Sequence, residues 1–237
     1  KVYGNMANYK RLKEANPRLI IGICGCMTQQ KGELQNILGQ LPHVDLIFGT
    51  HNIHRLPELL SRAEGGERVV EVWDEAPYKE EGQDFRESLP VERSHRLKAF
   101  VNIIYGCTNF CTYCIVPYVR GKEHSRLPES IITEVSGLVE AGYREVTLLG
   151  QNVNAYGKDL SIDTSFSKLL ADLNAIEGLA RIRFTTSHPR DMGPDLIEAL
   201  ANLDKVCEHL HLPVQAGSSR VLRRMNRGYT REQYLDL

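Results

Sequence analysis

The sequence has 237 residues, of which 42% are hydrophobic and 25% charged, and its formal net charge is -1 at pH 7. This composition is typical of a globular protein and excludes a strongly basic nucleic-acid-binding domain, although a local basic patch would be enough for RNA. No apolar run approaches the ~20 residues of a membrane helix, and six cysteines are too few for a secreted disulfide scaffold, so we expect a cytoplasmic protein without membrane contact.

The first part of the chain alternates strand-like and helix-like patterns. Short apolar runs of the buried-strand type cover residues 19–24 and 44–48, and a helical pattern covers residues 29–38. The alternation predicts a small α/β domain over residues 1–72. Residues 73–98 are rich in charge and contain two prolines, which is typical of a linker.

The alternation becomes regular from residue 99 onward. We predict strands over residues 100–105, 145–149, 181–185 and 209–214, and helices over residues 129–141, 166–176, 194–203 and 219–226. Thr230 and Gln233 have the spacing of a capping box that opens one more helix. Four successive βα units predict a parallel sheet with right-handed crossovers. The chain stops within the helix after the fourth strand, so we expect an open, partial barrel over residues 99–237.

Each predicted strand of this region is followed by polar residues. The sequences are GCTNFC, GQNVN, TTSHP and PVQAGS. Because the carboxyl ends of parallel strands carry the binding site in α/β proteins, we expect these residues to face one cavity. The candidates are Gln151, Asn152, Ser187 and Gln215, for which turn capping is the alternative role.

Three cysteines lie within eight residues, with the spacing C-x-x-x-C-x-x-C. Cys107, Cys111 and Cys114 follow the first predicted strand of the regular region. Structural zinc normally needs four ligands; Cys207 lies far along the chain and His124 is a weak fourth candidate. An iron–sulfur cluster fits three thiolates better and leaves one iron open for a small molecule. The spacing therefore favours a cluster with an open coordination position.

The cysteine spacing, its place after strand one and Tyr113 before the third cysteine resemble the radical S-adenosylmethionine (SAM) superfamily. The resemblance implies that the amino and carboxylate groups of SAM chelate the open iron of a [4Fe-4S] cluster. It also implies that one electron cleaves SAM to methionine and a 5′-deoxyadenosyl radical, and that the backbone around Tyr113 contacts the adenine. An electron donor such as flavodoxin or ferredoxin would supply that electron.

The segments CTYCIVPYVRGKEHSR, LLGQNVNAYG, RFTTSHP and HLHLPVQAGSSRVLRRMNRGYT resemble the methylthiotransferases of this superfamily, over essentially the whole chain. The MiaB type, which adds a methylthio group to C2 of isopentenyladenosine beside the tRNA anticodon, matches best. Alternatives are a methylthiotransferase for threonylcarbamoyladenosine or a ribosomal protein, and a noncatalytic metal-binding module that binds RNA. The implied partner is the anticodon stem-loop of tRNA.

This resemblance also implies a second [4Fe-4S] cluster in the N-terminal domain. Its third cysteine sits in a GC-x-x-Q context, which matches Cys26 in ICGCMTQQ. Cys24 is the rival, and we expect it to be a small buried residue at the end of a strand. The other two ligands, the last barrel strands and the RNA-binding TRAM domain of the family have no counterpart here. We therefore expect the chain to be the middle piece of a longer enzyme, inactive alone.

Two groups of arginines complete the candidates. One of Arg120, Lys122 and Arg126, and Arg126 in particular, is a natural partner for the carboxylate of SAM, a solvated basic turn being the alternative. The second group is the one strongly basic run, for which we expect contacts with RNA phosphates, a solvated surface being the alternative. The predicted RNA-binding residues are Arg220, Arg223, Arg224 and Arg227.

Overall fold

A computed structural model describes residues 1–75 and 89–237. The greater part of the predicted linker, residues 76–88, therefore lies outside the described residues. The chain divides into two compact units: Lys1–Tyr78 with Tyr118–Arg120, and Lys79–Pro117 with Gly121–Leu237. None of the helices in the described ranges combines the length and apolar character needed to cross a membrane.

The first unit is a three-stranded parallel sheet with helices. The strands are β1 (Gly22–Cys24), β2 (Leu46–Phe48) and β3 (Val69–Glu71), in the order β1-β2-β3. The helices are α1 (Val2–Ala15), α2 (Lys31–Gln40) and α3 (Leu56–Glu64). Buried side chains on both sides of the sheet form its core, with Ile37 and Ile47 in one cluster and Phe48 and Leu59 in another. The predicted α/β alternation is confirmed, although α1, α3 and β3 were not foreseen.

The second unit contains a parallel sheet of β4 (Lys98–Asn102), β7 (Glu145–Leu149) and β8 (Arg181–Phe184), in the order β4-β7-β8. A short antiparallel pair is formed by β5 (Ile104–Tyr105) and β6 (His124–Ser125). The helices that begin in this part of the sequence are α4 (Val116–Arg120), α5 (Pro128–Glu140), α6 (Phe166–Asn174), α7 (Pro194–Asn202), α8 (Ser219–Arg224) and α9 (Arg231–Leu235). The predicted helices thus match α5 to α8 within two residues.

The parallel sheet is buried by the helices of its own βα units. Val101, Val146, Leu148 and Ile182 from the strands are fully buried in one core cluster with Leu169 and other side chains of α5 and α6. The fourth predicted strand, residues 209–214, is wrong: a single bridge at Val206 to Ile182 follows β8 instead. The described part of the sheet is open, as expected for a partial barrel.

Candidate active site

The three-cysteine loop begins directly after β5. The pairing of Ile104 with Ser125 brings the two ends of the loop together, and the Cys107 amide donates to the carbonyl oxygen of Gly121 at 3.1 Å. Gly106 has φ +72°, and a Cβ at this position would overlap the carbonyl oxygen of Lys122. Only glycine fits here, because both the backbone conformation and the close approach exclude a side chain.

The opposite side of the loop is held by the segment that follows α8. The Asn226 side-chain amide donates to the carbonyl oxygens of Asn109 and Phe110, at 3.2 and 3.1 Å. The Thr112 amide donates to the carbonyl oxygen of Met225 at 3.1 Å. Phe110 and Asn226 both have positive φ, at 46° and 57°. The loop is therefore fixed by tertiary contacts in addition to its own turns.

The three thiols lie in one partly buried loop. Cys107 and Cys111 are buried and Cys114 is half-buried, and the Cys114 amide donates to the carbonyl oxygen of Cys111 at 2.9 Å. Burial raises the pKa of the Cys107 thiol, opposed by a backbone hydrogen bond at Asn109. Among the described residues no group of three or more His, Cys, Asp or Glu could hold a single metal ion. In an iron–sulfur cluster each cysteine binds a different iron atom, so its ligands do not have to surround one ion.

Arg227 lies beside the buried thiols. Its Nη1 donates to Cys111 Sγ at 3.1 Å and its Nε to the Tyr229 hydroxyl at 3.3 Å. The Tyr113 hydroxyl lies 3.5 Å from the same Nη1. Since the residue is only 5% exposed, the predicted RNA contact at this position is wrong: a buried guanidinium cannot reach a phosphate backbone.

Polar side chains line the carboxyl ends of β7 and β8, as predicted. Asn152 Nδ2 donates to Asp191 Oδ2 at 2.7 Å, while its Oδ1 is buried without a hydrogen-bond partner in the described structure. Gln151 Oε1, Ser187 Oγ and His188 Nε2 are in the same condition. Because buried polar atoms are almost always paired, such a row indicates groups that a ligand would satisfy.

His188 is the most constrained member of this row. Its Nδ1 accepts from the Arg190 amide at 3.1 Å, so Nε2 carries the proton of the neutral ring. Its backbone amide donates to Asn154 Oδ1 at 2.8 Å, and Asn154 Nδ2 donates back to its carbonyl oxygen at 3.0 Å. Burial, reinforced by the charge of Arg227, lowers the pKa of His188 to about 4. The ring is thus a neutral donor near pH 7.

The other predicted cofactor-binding residues differ in their surroundings. Arg126 is buried and donates to Glu134 at 2.6 Å, to the carbonyl oxygen of Asn102 at 2.8 Å and to Ser130 at 2.9 Å. These contacts engage both terminal nitrogens of the guanidinium. Gln215 is exposed and has φ 66°, and the Tyr113 side chain is also exposed.

The remaining arginine candidates lie on the surface of α8. Arg220, Arg223 and Arg224 are all exposed. The Arg224 carbonyl oxygen accepts from Thr112 Oγ1 at 3.2 Å, so this helix connects directly to the cysteine loop. An exposed basic surface next to the candidate site remains consistent with an RNA contact.

In the first unit, Cys24 ends β1 and Cys26 follows Gly25, which has φ 114°. Cys24 is exposed and Cys26 is half-buried, so the expectation of a buried Cys24 is wrong. The strand is short and its alternation directs Ile23 into the core and the Cys24 side chain outward. Arg120, which belongs to the same unit, places Nε 3.2 Å from Cys26 Sγ.

Two positioning residues were missed from the sequence. Asn226 holds the cysteine loop, and Arg190 donates to Asn109 Oδ1 within it. The Asn-Arg-Gly triplet at 226–228 is a turn signal that favours positive φ at asparagine. The sequence does not indicate that Asn226 bonds to the cysteine loop more than 100 residues away. Arg190 directly follows the Ser-His-Pro sequence at 187–189. Nothing in the sequence distinguishes it from an ordinary exposed arginine.

The sequence of this chain is similar to those of known radical SAM proteins. The family model described as "Radical SAM superfamily" matches residues 101–237. Two proteins named tRNA-2-methylthio-N(6)-dimethylallyladenosine synthase, from Pelotomaculum thermopropionicum and Clostridium tetani, are each 56% identical over the whole chain. The one from Desulforamulus reducens is 57% identical. The chain covers 52%, 51% and 51% of these proteins, so it spans about half of their length.

Solved structures show the same fold at low sequence identity. The cobalamin-dependent SAM radical enzyme OxsB matches with a TM-score of 0.54 and 15% identity, over 96% of this chain and 39% of that one. The radical SAM methyltransferase TsrM from Kitasatospora setae matches with a TM-score of 0.55 and 12% identity, over 90% of this chain and 53% of that one. The family model, the cysteine loop and the open βα sheet together place this chain in the radical SAM superfamily.

Proposed function

We propose that this chain is part of a tRNA methylthiotransferase that modifies C2 of N6-isopentenyladenosine next to the anticodon. The single observation that carries the proposal is the closed cysteine loop together with buried polar atoms at the strand ends that have no hydrogen-bond partner among the described residues. The identity of about 56% to synthases that carry this activity in their names supports the choice of substrate.

In this proposal Cys107, Cys111 and Cys114 hold a [4Fe-4S] cluster, which supplies the electron for reductive cleavage of SAM. Their loop fits this role because it is closed by β5 and β6, partly buried and anchored at both sides. Cys26, with cysteines outside this chain, would hold a second cluster at which sulfur is delivered.

The chain's own polar residues would bind and orient SAM and the target base. Asn152 and Ser187 offer unpaired oxygen atoms, and His188 offers an N–H donor. Each lies at a carboxyl end of the parallel sheet, where ligands bind in α/β folds. Burial of these atoms excludes competing water, so hydrogen bonds to a ligand are stronger there.

The base itself must leave the RNA stack to reach such a site, which requires a single-stranded loop. The exposed arginines of α8 lie next to the cysteine loop and would hold the phosphates around it. An external one-electron donor, of the flavodoxin or ferredoxin kind, would reduce the cluster.

The proposal is tested by anaerobic reconstitution of the full-length enzyme with iron and sulfide, followed by SAM, reductant and tRNA. We expect 5′-deoxyadenosine and 2-methylthio-adenosine in the wild type, and neither product in Cys107→Ala, Cys111→Ala or Cys114→Ala. Cys207→Ala is the matched control, because the amide of this cysteine donates to the carbonyl oxygen of Ile182 in β8 and not to the loop. A zinc-bound protein that forms no 5′-deoxyadenosine would support the noncatalytic alternative instead.

Product analysis also separates the related substrates. Reaction with tRNA that lacks the isopentenyl group, with threonylcarbamoyladenosine-containing tRNA and with ribosomal protein should give no methylthio product. Modification of one of these in preference to isopentenylated tRNA would move the chain to a neighbouring methylthiotransferase type.

A further inference from the structure

Arg227 is a buried cation with an unusual set of partners. Its side chain is 5% exposed, and within the described ranges no carboxylate lies at ion-pair distance from it. A buried charge is costly unless an opposite charge or several hydrogen bonds compensate it. The compensating group should therefore be found among the atoms that the guanidinium contacts.

The contacts of Arg227 leave one anionic candidate. Tyr229 accepts from Nε at 3.3 Å and donates its own proton to the carbonyl oxygen of Val214 at 2.8 Å, so its hydroxyl is neutral. The Tyr229 ring lies 5.5 Å from the guanidinium carbon, which favours a cation without neutralising it. Nη1 has two further partners. The Tyr113 hydroxyl, at 3.5 Å, belongs to a phenol whose pKa is raised by burial, so it supplies no charge; the other is Cys111 Sγ, at 3.1 Å.

A cysteine that ligates a cluster does so as a thiolate. Cys111 would then provide the negative charge that a buried Arg227 needs. The arrangement is fixed from the other side as well, because Tyr229 orients Nε and so directs Nη1 toward the sulfur.

We infer that Arg227 raises the reduction potential of the Cys107–Cys111–Cys114 cluster through its hydrogen bond to Cys111 Sγ. The inference rests on the proposed function, since it requires the cluster. When the cluster takes one electron from a donor, no bond forms or breaks and its net negative charge increases by one. A buried donor and cation at a ligand sulfur stabilises the reduced state more than the oxidised state.

The test is a reductive titration of the full-length, reconstituted enzyme with dithionite, followed by electron paramagnetic resonance. The signal whose line shape changes on adding SAM identifies the relevant cluster. Arg227→Met removes the charge and all donors at similar length, and Arg227→Lys keeps the charge but loses the planar fork. Arg231→Gln is the control, because it removes an exposed arginine four residues away.

We expect Arg227→Met to lower the ratio of reduced to oxidised cluster at a fixed potential at least tenfold, which is ~59 mV for one electron. Arg227→Lys should lie between this variant and the wild type, and Arg231→Gln should match the wild type. Full iron content with an unchanged potential in Arg227→Met would overturn the inference.

The iron content of each variant shows whether the cluster is still bound when its potential is measured. If Arg227→Met loses the cluster, Arg227→Lys decides by the same potential measurement; loss of iron from both variants would make the residue a structural requirement and would also overturn the inference. Failure of the proposed function looks different, because the wild type itself would then hold no reducible cluster or leave SAM intact.

Discussion

The side-chain amide of Asn226 donates a hydrogen bond to the carbonyl oxygen of Phe110 at 3.1 Å, across 116 positions of the chain. The same amide donates to the neighbouring carbonyl oxygen of Asn109. Both bonds end on the backbone of the cysteine loop, between its first and second thiols. The loop conformation therefore depends in part on an amide that lies far away in the sequence, alongside the bonds of Thr112 to Met225 and Arg224.

Replacing Asn226 should loosen the cysteine loop. We expect Asn226→Ala to cost about 0.5–1.5 kcal/mol of unfolding free energy through the lost hydrogen bonds, because Asn226 is exposed and water can replace part of them, plus ~1 kcal/mol for a positive φ without glycine or asparagine. Asn226→Gly is the matched control, because it loses the amide but keeps the backbone conformation. Both should release iron faster to a chelator; a wild-type release rate in both would show that the amide does not hold the loop.

The neutral His188 ring predicts a specific acid sensitivity. Its pKa is about 4 in the folded state, lowered by burial and by Arg227, Arg190 and Lys158 against the opposing effect of Asp191, whereas an unfolded histidine has a pKa of ~6.5. The unfolded chain thus binds the proton first as pH falls, so stability decreases from about pH 6.5 down to about pH 4. Between pH 7 and 5 the loss from this group is about 2 kcal/mol.

This loss is measured by guanidinium unfolding of the cluster-free protein at pH 7 and pH 5. His188→Gln should lower the stability at pH 7 but reduce the difference between the two pH values by about 2 kcal/mol. The exposed His209 provides the control, and His209→Gln should keep the wild-type difference. An identical pH difference in all three proteins would show that His188 is not the group that titrates.

The exposed arginines of α8 predict a salt-dependent RNA contact. We expect Arg223→Ala or Arg224→Ala to weaken tRNA binding and to flatten the slope of log affinity against log salt by roughly one. Cleavage of SAM without tRNA should be unchanged. Arg181→Ala is the control, since that exposed arginine lies at the amino end of β8 and pairs with Glu145. If the salt dependence has the same slope in all variants as in the wild type, the arginines of α8 are a solvated surface and do not contact RNA.

Cys26 and Cys24 should fail in different ways. In the full-length enzyme, Cys26→Ala should remove the second cluster, lower iron content by about half and stop methylthio formation while 5′-deoxyadenosine is still formed. Cys24→Ala should change the unfolding free energy by less than about 0.5 kcal/mol, because this side chain is exposed. The measurement is iron per chain together with both products, for the two variants side by side. Loss of iron in Cys24→Ala and not in Cys26→Ala would make Cys24 the cluster ligand instead.

Patterns that are local in sequence predicted local structure well. The capping box of Thr230 and Gln233 is present with both of its hydrogen bonds, and Pro194 opens α7 as expected. The three cysteines follow β4 and β5, which together correspond to the predicted strand 100–105, and their role as cluster ligands stays a prediction. In the capping box and at the start of α7 the interacting groups lie within a few positions of one another, so the sequence contains the whole interaction.

Features that depend on distant partners could not be predicted. Residues 209–214 have an apolar alternation like that of a strand. The hydroxyl groups of Tyr229 and Tyr234, however, donate hydrogen bonds to backbone carbonyl oxygens of this segment, at Val214 and Leu212. Arg223 and Arg227 belong to the same basic run, yet one is exposed and the other is buried against Cys111. Only tertiary packing separates these two arginines, and no periodicity or spacing reports it.

The dependence of the cysteine loop on Asn226 also has a consequence for biosynthesis. All three thiols emerge from the ribosome long before residue 226, and at ~5–20 residues per second the remaining 115 or so residues take roughly 6–23 s. Until then the nascent chain exposes thiols without the segment that fixes their loop. We therefore expect iron insertion to follow the synthesis of residue 226, and the thiols to be most exposed to oxidation before then.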